Sequence, residues 1–216
     1  RRDWQNTSLI LDLLTYDFGR VSVLAKGGKN SRSKAFYQPF IRLSVSWTGR
    51  HELKTLVDID GVSLPVAEQQ YLSLLYINEL ISVFLPVHEP NLELFQLYEL
   101  LLQNIDQKEA DLREFEKELM NFLGYLPDTM VEARTRMPID ARQHYQFLAS
   151  DGFVMCSEAN KNTINGASII AWNEKKYESP VVMQMAKAVM RCIIDFNLHG
   201  KELKSRIIYR KIQNYF

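Results

Sequence analysis

Between Ile41 and Thr48 apolar and polar residues alternate without a break, with Ile41, Leu43, Val45 and Trp47 set against Arg42, Ser44, Ser46 and Thr48. A period of two places one set on each face of a β-strand, and no helix can gather it on one side. Leu9 to Thr15 and Val21 to Lys26 are also β-rich and flank Asp17-Phe18-Gly19-Arg20, while Gly49-Arg50 separates the Trp47 run from Leu53 to Ile59. These are hairpin spacings. Short, turn-linked strands must hide their edges, and a small five-stranded barrel is the common solution. The chain opens at Arg1 and reads as strand by Leu9, so an earlier segment, itself a candidate strand, is expected.

After Pro65 the period changes to that of a helix. Tyr71, Leu74, Leu75, Ile81, Phe84 and Leu85 share one broad face that ends at Pro86. A second helix is expected over Leu92 to Ile105, with Asn91 as its cap, and a third from Glu109 to Leu123, with Leu112, Phe115, Leu119 and Phe122 inward and Gly124 as the stop. The three are expected to form a bundle. Residues 125–178 are weakly patterned and read as an irregular insert with a short β piece at Phe153 to Met155. Ser179-Pro180 starts a helix to Leu198 whose inner face carries Met183, Ala186, Met190, Ile193 and Ile194, and a last short helix begins at Ser205. The expected fold is α+β: a barrel over residues 1–64 and a mainly helical domain over 65–216.

Hydrophobic residues make up 46% and charged residues 24% of the 216, which suits a chain that buries a core. The first eight residues are too polar for a secretory signal, and no window approaches the roughly 18 consecutive apolar residues of a membrane span, so a cytoplasmic address is expected. Two distant cysteines, Cys156 and Cys192, supply neither a disulfide framework nor a four-cysteine zinc site. The net charge of zero hides an uneven distribution. Residues 1–56 hold ten Lys or Arg against four Asp or Glu, residues 66–138 hold five against thirteen, and residues 139–216 hold eleven against seven. Both ends are basic, which points to a polyanionic partner.

The densest basic feature is the loop Lys26-Gly27-Gly28-Lys29-Asn30-Ser31-Arg32-Ser33-Lys34. Cations among small residues can follow a phosphate backbone and offer N–H groups to it; the plainer reading is a solvated mobile loop. No Gly-Lys-Ser/Thr stands at phosphate-loop spacing. Phe36, Tyr37, Phe40 and Trp47 interleave with these cations as base-stacking aromatics do, although Phe40 and Trp47 read more readily as core and Tyr37 is the better stacking candidate. Arg20, Arg42, Arg50 and Lys54 extend the charge across one barrel face, or solubilise it. The four histidines show no metal-ligand spacing, Asp58-x-Asp60-Gly61 reads as an acidic turn, and the acids near Glu114 alternate with Arg113 and Lys117 as a solvated helix face does. No catalytic residue or cofactor is expected. The alternatives from other classes are a metal-dependent nuclease containing a barrel and a scaffold that binds only protein.

Ser8 to Leu14, Gly19-Arg20-Val21, Val23-Leu24-Ala25-Lys26-Gly27, Gln38-Pro39-Phe40, Glu52-Leu53-Lys54-Thr55-Leu56, Tyr76-Ile77-Asn78-Glu79-Leu80, Leu112-Arg113 with Phe115-Glu116, Leu123-Gly124-Tyr125, and Gly200-Lys201 with Leu203-Lys204-Ser205-Arg206 occur in an order and spacing that resembles RecO, the bacterial recombination mediator family. The resemblance implies an oligonucleotide-binding (OB) barrel followed by a helical domain. It further implies binding of single- and double-stranded DNA, strand annealing, RecA loading with RecR, and docking on the acidic tail of the single-stranded DNA-binding protein, with RecF a further candidate partner at the nucleoid. By position Lys26, Arg32, Lys34 and Lys54 carry over as DNA contacts, with Lys29 in the same loop. Lys201, Lys204 and Arg206 form a second basic patch. Arg113 would clamp the tail carboxylate, or else pair with Glu109 or Glu116. Many members hold zinc with four cysteines in the segment matching residues 125–160; only Cys156 stands here, which implies a zinc-free branch whose insert is held by packing alone.

Overall fold

A computed structural model of the chain describes residues 1–103, 109–158, 160, 162 and 163–213. They fall into two compact units, Arg1–Gln107 and Lys108–Phe216.

The first unit opens with β1 (Arg2–Trp4), β2 (Ser8–Thr15), β3 (Gly19–Ala25), β4 (Ile41–Thr48) and β5 (Lys54–Ser63), in the sheet order β1-β2-β3-β5-β4. The two hairpins are those expected, and β3 joins β5 in parallel through Val23↔Lys54 and Leu24↔Thr55. The strand β1 lies in residues too polar to signal one. It is held by pairing, with Arg2 opposite Ile10 and Trp4 opposite Ser8. The expected closure is absent among the described residues: β1 and β4 end the sheet without pairing to each other, which leaves an open, OB-like sheet. Leu9, Leu11, Val21, Val23, Ala25, Tyr37 and Ile59 are buried in its core, and Leu43, Val45 and Trp47 pack against them.

Gly19 starts β3 with φ +64, and a Cβ there would stand 2.3 Å from the Glu89 carbonyl oxygen. The next residue explains the crowding, because the Arg20 carbonyl accepts the His88 N–H at 2.9 Å and so pulls the 87–90 segment onto the strand. The helices α1 (Glu68–Phe84) and α2 (Leu92–Gln103) complete this unit. Leu74, Ile77, Leu80 and Ile81 of α1 are buried, whereas Tyr71 is 43% exposed and meets Phe40 edge to face. Asn91 caps α2 as expected, its Oδ1 accepting the Leu94 N–H at 2.8 Å. Ile105, expected in α2, lies outside the described residues.

The second unit runs α3 (Glu109–Phe122), β6 (His144–Leu148), β7 (Gly152–Cys156), β8 (Ile164–Asn165), α4 (Gly166–Asn173), α5 (Pro180–Asn197) and α6 (Lys204–Gln213). The expected bundle of the first three helices is therefore split between the units. Both α3 and α4 pack on α5, around Phe115, Leu119, Met120, Ile169, Trp172, Met190, Ile193 and Ile194, all fully buried. Phe122, expected inward, is 36% exposed because it is the last residue of α3, just before the chain leaves through Gly124 at φ +70.

The insert is more regular than its sequence. It holds a three-stranded sheet, order β7-β6-β8, and the eight-residue α4, whose cap is Asn165. Packing alone does not hold it. The Glu132 side chain is buried, and its Oε2 accepts the N–H groups of Arg134 and Thr135 at 2.9 and 2.5 Å and the Thr135 hydroxyl at 2.7 Å. Its Oε1 accepts the Met155 N–H of β7 at 3.2 Å. One carboxylate thus pins the turn at 132–137 to the sheet. Chiefly the Thr135 N–H, with the other donors, holds that carboxyl below the usual carboxylate range against the opposing effect of burial.

Candidate nucleic-acid interface

The basic loop is folded into two short 3-10 turns, Gly28–Asn30 and Arg32–Phe36. Gly27 enters the first at φ +63, the Lys29 N–H bonds the Thr7 carbonyl at 3.0 Å, and the Ser31 hydroxyl caps the second by accepting the Ser33 N–H at 3.1 Å. This scaffold presents Lys26, Arg32 and Lys34 to solvent, and no carboxylate among the described residues lies within 4.0 Å of any of the three. Lys29 differs, being half-buried with its ammonium 2.9 Å from Asp3.

The remaining predicted positions of this unit divide by environment. The Arg20 guanidinium donates from Nη1 to the Ser82 carbonyl of α1, and its Nε is buried with no acceptor among the described residues. Arg42 pairs with Glu99 of α2. Both are therefore tied to the helices and do not extend the loop's cationic track. Lys54 is half-buried at the β3–β5 junction, and Arg50 is exposed in the β4–β5 turn. Tyr37 is only 6% exposed, inside the sheet's core, so the expected stacking ring has no free face; its place in the second 3-10 turn's C-cap directs it inward.

Two exposed aromatics escaped the sequence reading. Tyr16 and Phe18, 53% and 54% exposed, sit in the β2–β3 turn, where Phe18 meets Trp47 edge to face with centroids 5.3 Å apart and Tyr16 meets Phe95 at 5.6 Å. The available signal was their position in a turn, where an aromatic has no strand face to fill.

In the second unit Lys201 and Lys204 are exposed, while Arg206 is paired with Asp195 of α5. Arg113 does not stand as an open clamp. Its side chain is 10% exposed, and its Nη1 lies 2.7 Å from Oε2 of the fully buried Glu116, one turn along α3. A buried guanidinium committed to its own helix offers no free fork to a partner's carboxylate. Nearby, Trp172 Nε1 donates to the Tyr177 hydroxyl at 3.0 Å, and that hydroxyl donates to Glu114 Oε1 at 2.5 Å. Burial, and then Glu114, pushes the Tyr177 hydroxyl far up, so it remains a donor. Among the described residues no group of three His, Cys, Asp or Glu is placed to hold a metal. A four-cysteine zinc site does not fit the insert: Cys156 has no thiol partner beside it, and the turn at 132–137 is held by N–H groups bonded to Glu132.

An open OB-like sheet, followed along the chain by helices and a small three-stranded sheet, defines an OB-containing α+β class of protein. Residues 1–64 match the family described as Recombination protein O N terminal, and residues 69–207 match Recombination protein O C terminal. The chain is 35% identical over 217 residues to the DNA repair protein RecO of Mannheimia succiniciproducens, covering 97% of this chain and 95% of that protein. It is 34% identical to the DNA repair protein RecO of Methylococcus capsulatus, covering 97% and 89%, and 35% identical to that of Coxiella burnetii strain RSA 493, covering 95% and 92%. The chain belongs to the RecO family of DNA repair proteins. No described helix is long and apolar enough to cross a membrane.

Proposed function

We infer that the chain binds single- and double-stranded DNA through its phosphates, without reading sequence, and anneals complementary strands by lowering their mutual repulsion. In the cell it helps RecR load RecA onto DNA coated by the single-stranded DNA-binding protein, whose acidic tail is a second partner and RecF a third. It works at the bacterial nucleoid and makes or breaks no bond. The observation that carries this reading is the trio Lys26, Arg32 and Lys34, exposed on a folded loop with no acidic neighbour among the described residues within ion-pair distance. A cation that is already ordered and not neutralised by its own protein gains most from a phosphate. Lys201 and Lys204 form a second basic patch, on the other unit.

The test is the salt dependence of binding to an oligothymidylate. Log affinity falls with log salt, and Lys26→Glu, Arg32→Glu and Lys34→Glu each flatten the slope by about 0.7 per lost contact. An unchanged slope in the triple variant removes the loop from the interface, and no binding even at low salt leaves the protein-only scaffold. Incubation with end-labelled DNA and magnesium leaves the DNA intact; cleavage would establish the nuclease reading instead.

A further inference from the structure

Three methionines of the second unit, Met130, Met137 and Met155, are each at least half exposed, although methionine ordinarily fills cores. Backbone pairing gathers them. The segments 130–132 and 137–139 run antiparallel, with the Glu132 N–H bonded to the Met137 carbonyl at 2.8 Å and the Ile139 N–H to the Met130 carbonyl at 3.1 Å. On its other side this pair meets β7 through the bridge between Glu132 and Phe153, where the Ala133 N–H bonds the Phe153 carbonyl at 2.7 Å. Paired residues share a face and every second residue returns to it, so all three methionines stand on the side of Glu132, spread over roughly 10 Å of adjoining strands. Their setting is rigid. The buried Glu132 carboxylate fixes the turn, Arg136 holds φ 59 within it, and Asp128 accepts both the Met130 N–H at 3.0 Å and the Arg136 guanidinium at 3.1 Å. Residues 128–137 supply two arginines and two methionines but no lysine, which is the composition of a protein-binding surface.

We propose that this patch is a self-complementary interface that pairs with the same patch on a second copy of the chain. Charge placement decides the occupant. The parallel pairing of Glu132 with Phe153 sets Asp151, just ahead of β7, level with Met130 at one end of the patch, and a Cβ on Gly152 would lie 3.2 Å from the Pro127 Cβ there. The same pairing sets Arg134 level with Met155 at the other end. Both charged residues are exposed, and neither has an ion-pair partner among the described residues, whereas Arg136 is already paired with Asp128. A two-fold axis through the methionines exchanges the two ends, so Arg134 of each copy meets Asp151 of the other while thioether packs on thioether. A nucleic-acid backbone gives no such match, because it offers nothing apolar to cover the methionines and its phosphates would face Asp151. The patch is smaller than the roughly 800 Å² per partner of a stable complex, so the pairing is weak and reversible. The inference does not depend on nucleic-acid binding.

The experiment is sedimentation velocity of the full chain, without DNA, from micromolar to millimolar concentration. The wild-type sedimentation coefficient rises with concentration. Arg134→Asp and Asp151→Arg each weaken the association by on the order of tenfold, because the two-fold axis makes every like-charge contact twice. The double variant carrying both changes restores it, which also shows that neither change acts by unfolding the chain. Met137→Lys, at the apolar centre, abolishes association with Tm unchanged. Single variants that associate as the wild type does, or a double variant that fails to recover, overturn the proposal. So does a wild type that stays monomeric, which leaves the patch to a different protein, or one that associates only when oligothymidylate is present.

Discussion

The Glu132 carboxylate stands in for a cross-link. It is buried, no cation among the described residues is paired with it, and its four acceptor contacts reach the adjacent turn and a strand more than twenty residues away in sequence. Its folded pKa lies below the ordinary value of 4.5. The stability it contributes is thus fully present above pH 4.5 and is lost as pH falls through the lower, folded value. Glu132→Ala leaves the part-buried N–H groups of Arg134, Thr135 and Met155 without this acceptor and destabilises the fold by about 1–3 kcal/mol. Urea unfolding at neutral pH measures this, and in the variant the acid limb below pH 4.5 becomes shallower. The role was not legible in sequence, because a glutamate among Arg134 and Arg136 reads as surface charge and the strand that receives it is remote. Arg113 shows the same limit: its motif was visible, but its burial against Glu116 depends on how α3 is covered.

Among the elements, those with strong periodicity were legible and those defined by pairing were not. The strand β4 and the helices α1, α3 and α5 follow from alternation or helical spacing, and α2 from its Asn91 cap. The strands β1 and β8, of three and two residues, are too short to carry a period. The helix α4 is apolar on nearly every side, so no amphipathic stripe announces it. On α5, Ile193 is fully buried against α3 and α4, and Ile193→Ala costs about 2–5 kcal/mol, measured as a lower urea midpoint with unchanged slope. At the β2–β3 turn Gly19→Ala adds a methyl 2.3 Å from the Glu89 carbonyl oxygen at a left-handed φ. The β3 strand and the 87–90 segment must part, and Tm falls by several degrees, a loss of about 1–3 kcal/mol.

For the whole molecule, charge placement determines what the protein can touch. The chain's zero net charge predicts nothing about DNA, but its unequal halves do, and the structure sorts the cations by whether they are already spoken for. Arg20, Arg42, Lys29 and Arg206 have intramolecular partners, so their reversal alters stability more than salt dependence, whereas Lys26, Arg32 and Lys34 show the reverse pattern in paired urea and binding titrations. Periodicity and turn chemistry alone determined that the chain is a β segment followed by helices, and where its basic loop lies, because those properties are local and repeat within one element. Tertiary structure alone decided that Tyr37 is core, that Glu132 binds the insert, and that among the described residues β4 stands at an edge of the sheet. Burial, carboxylate satisfaction and edge pairing each need a second segment to arrive, and no single stretch of sequence states which segment that is.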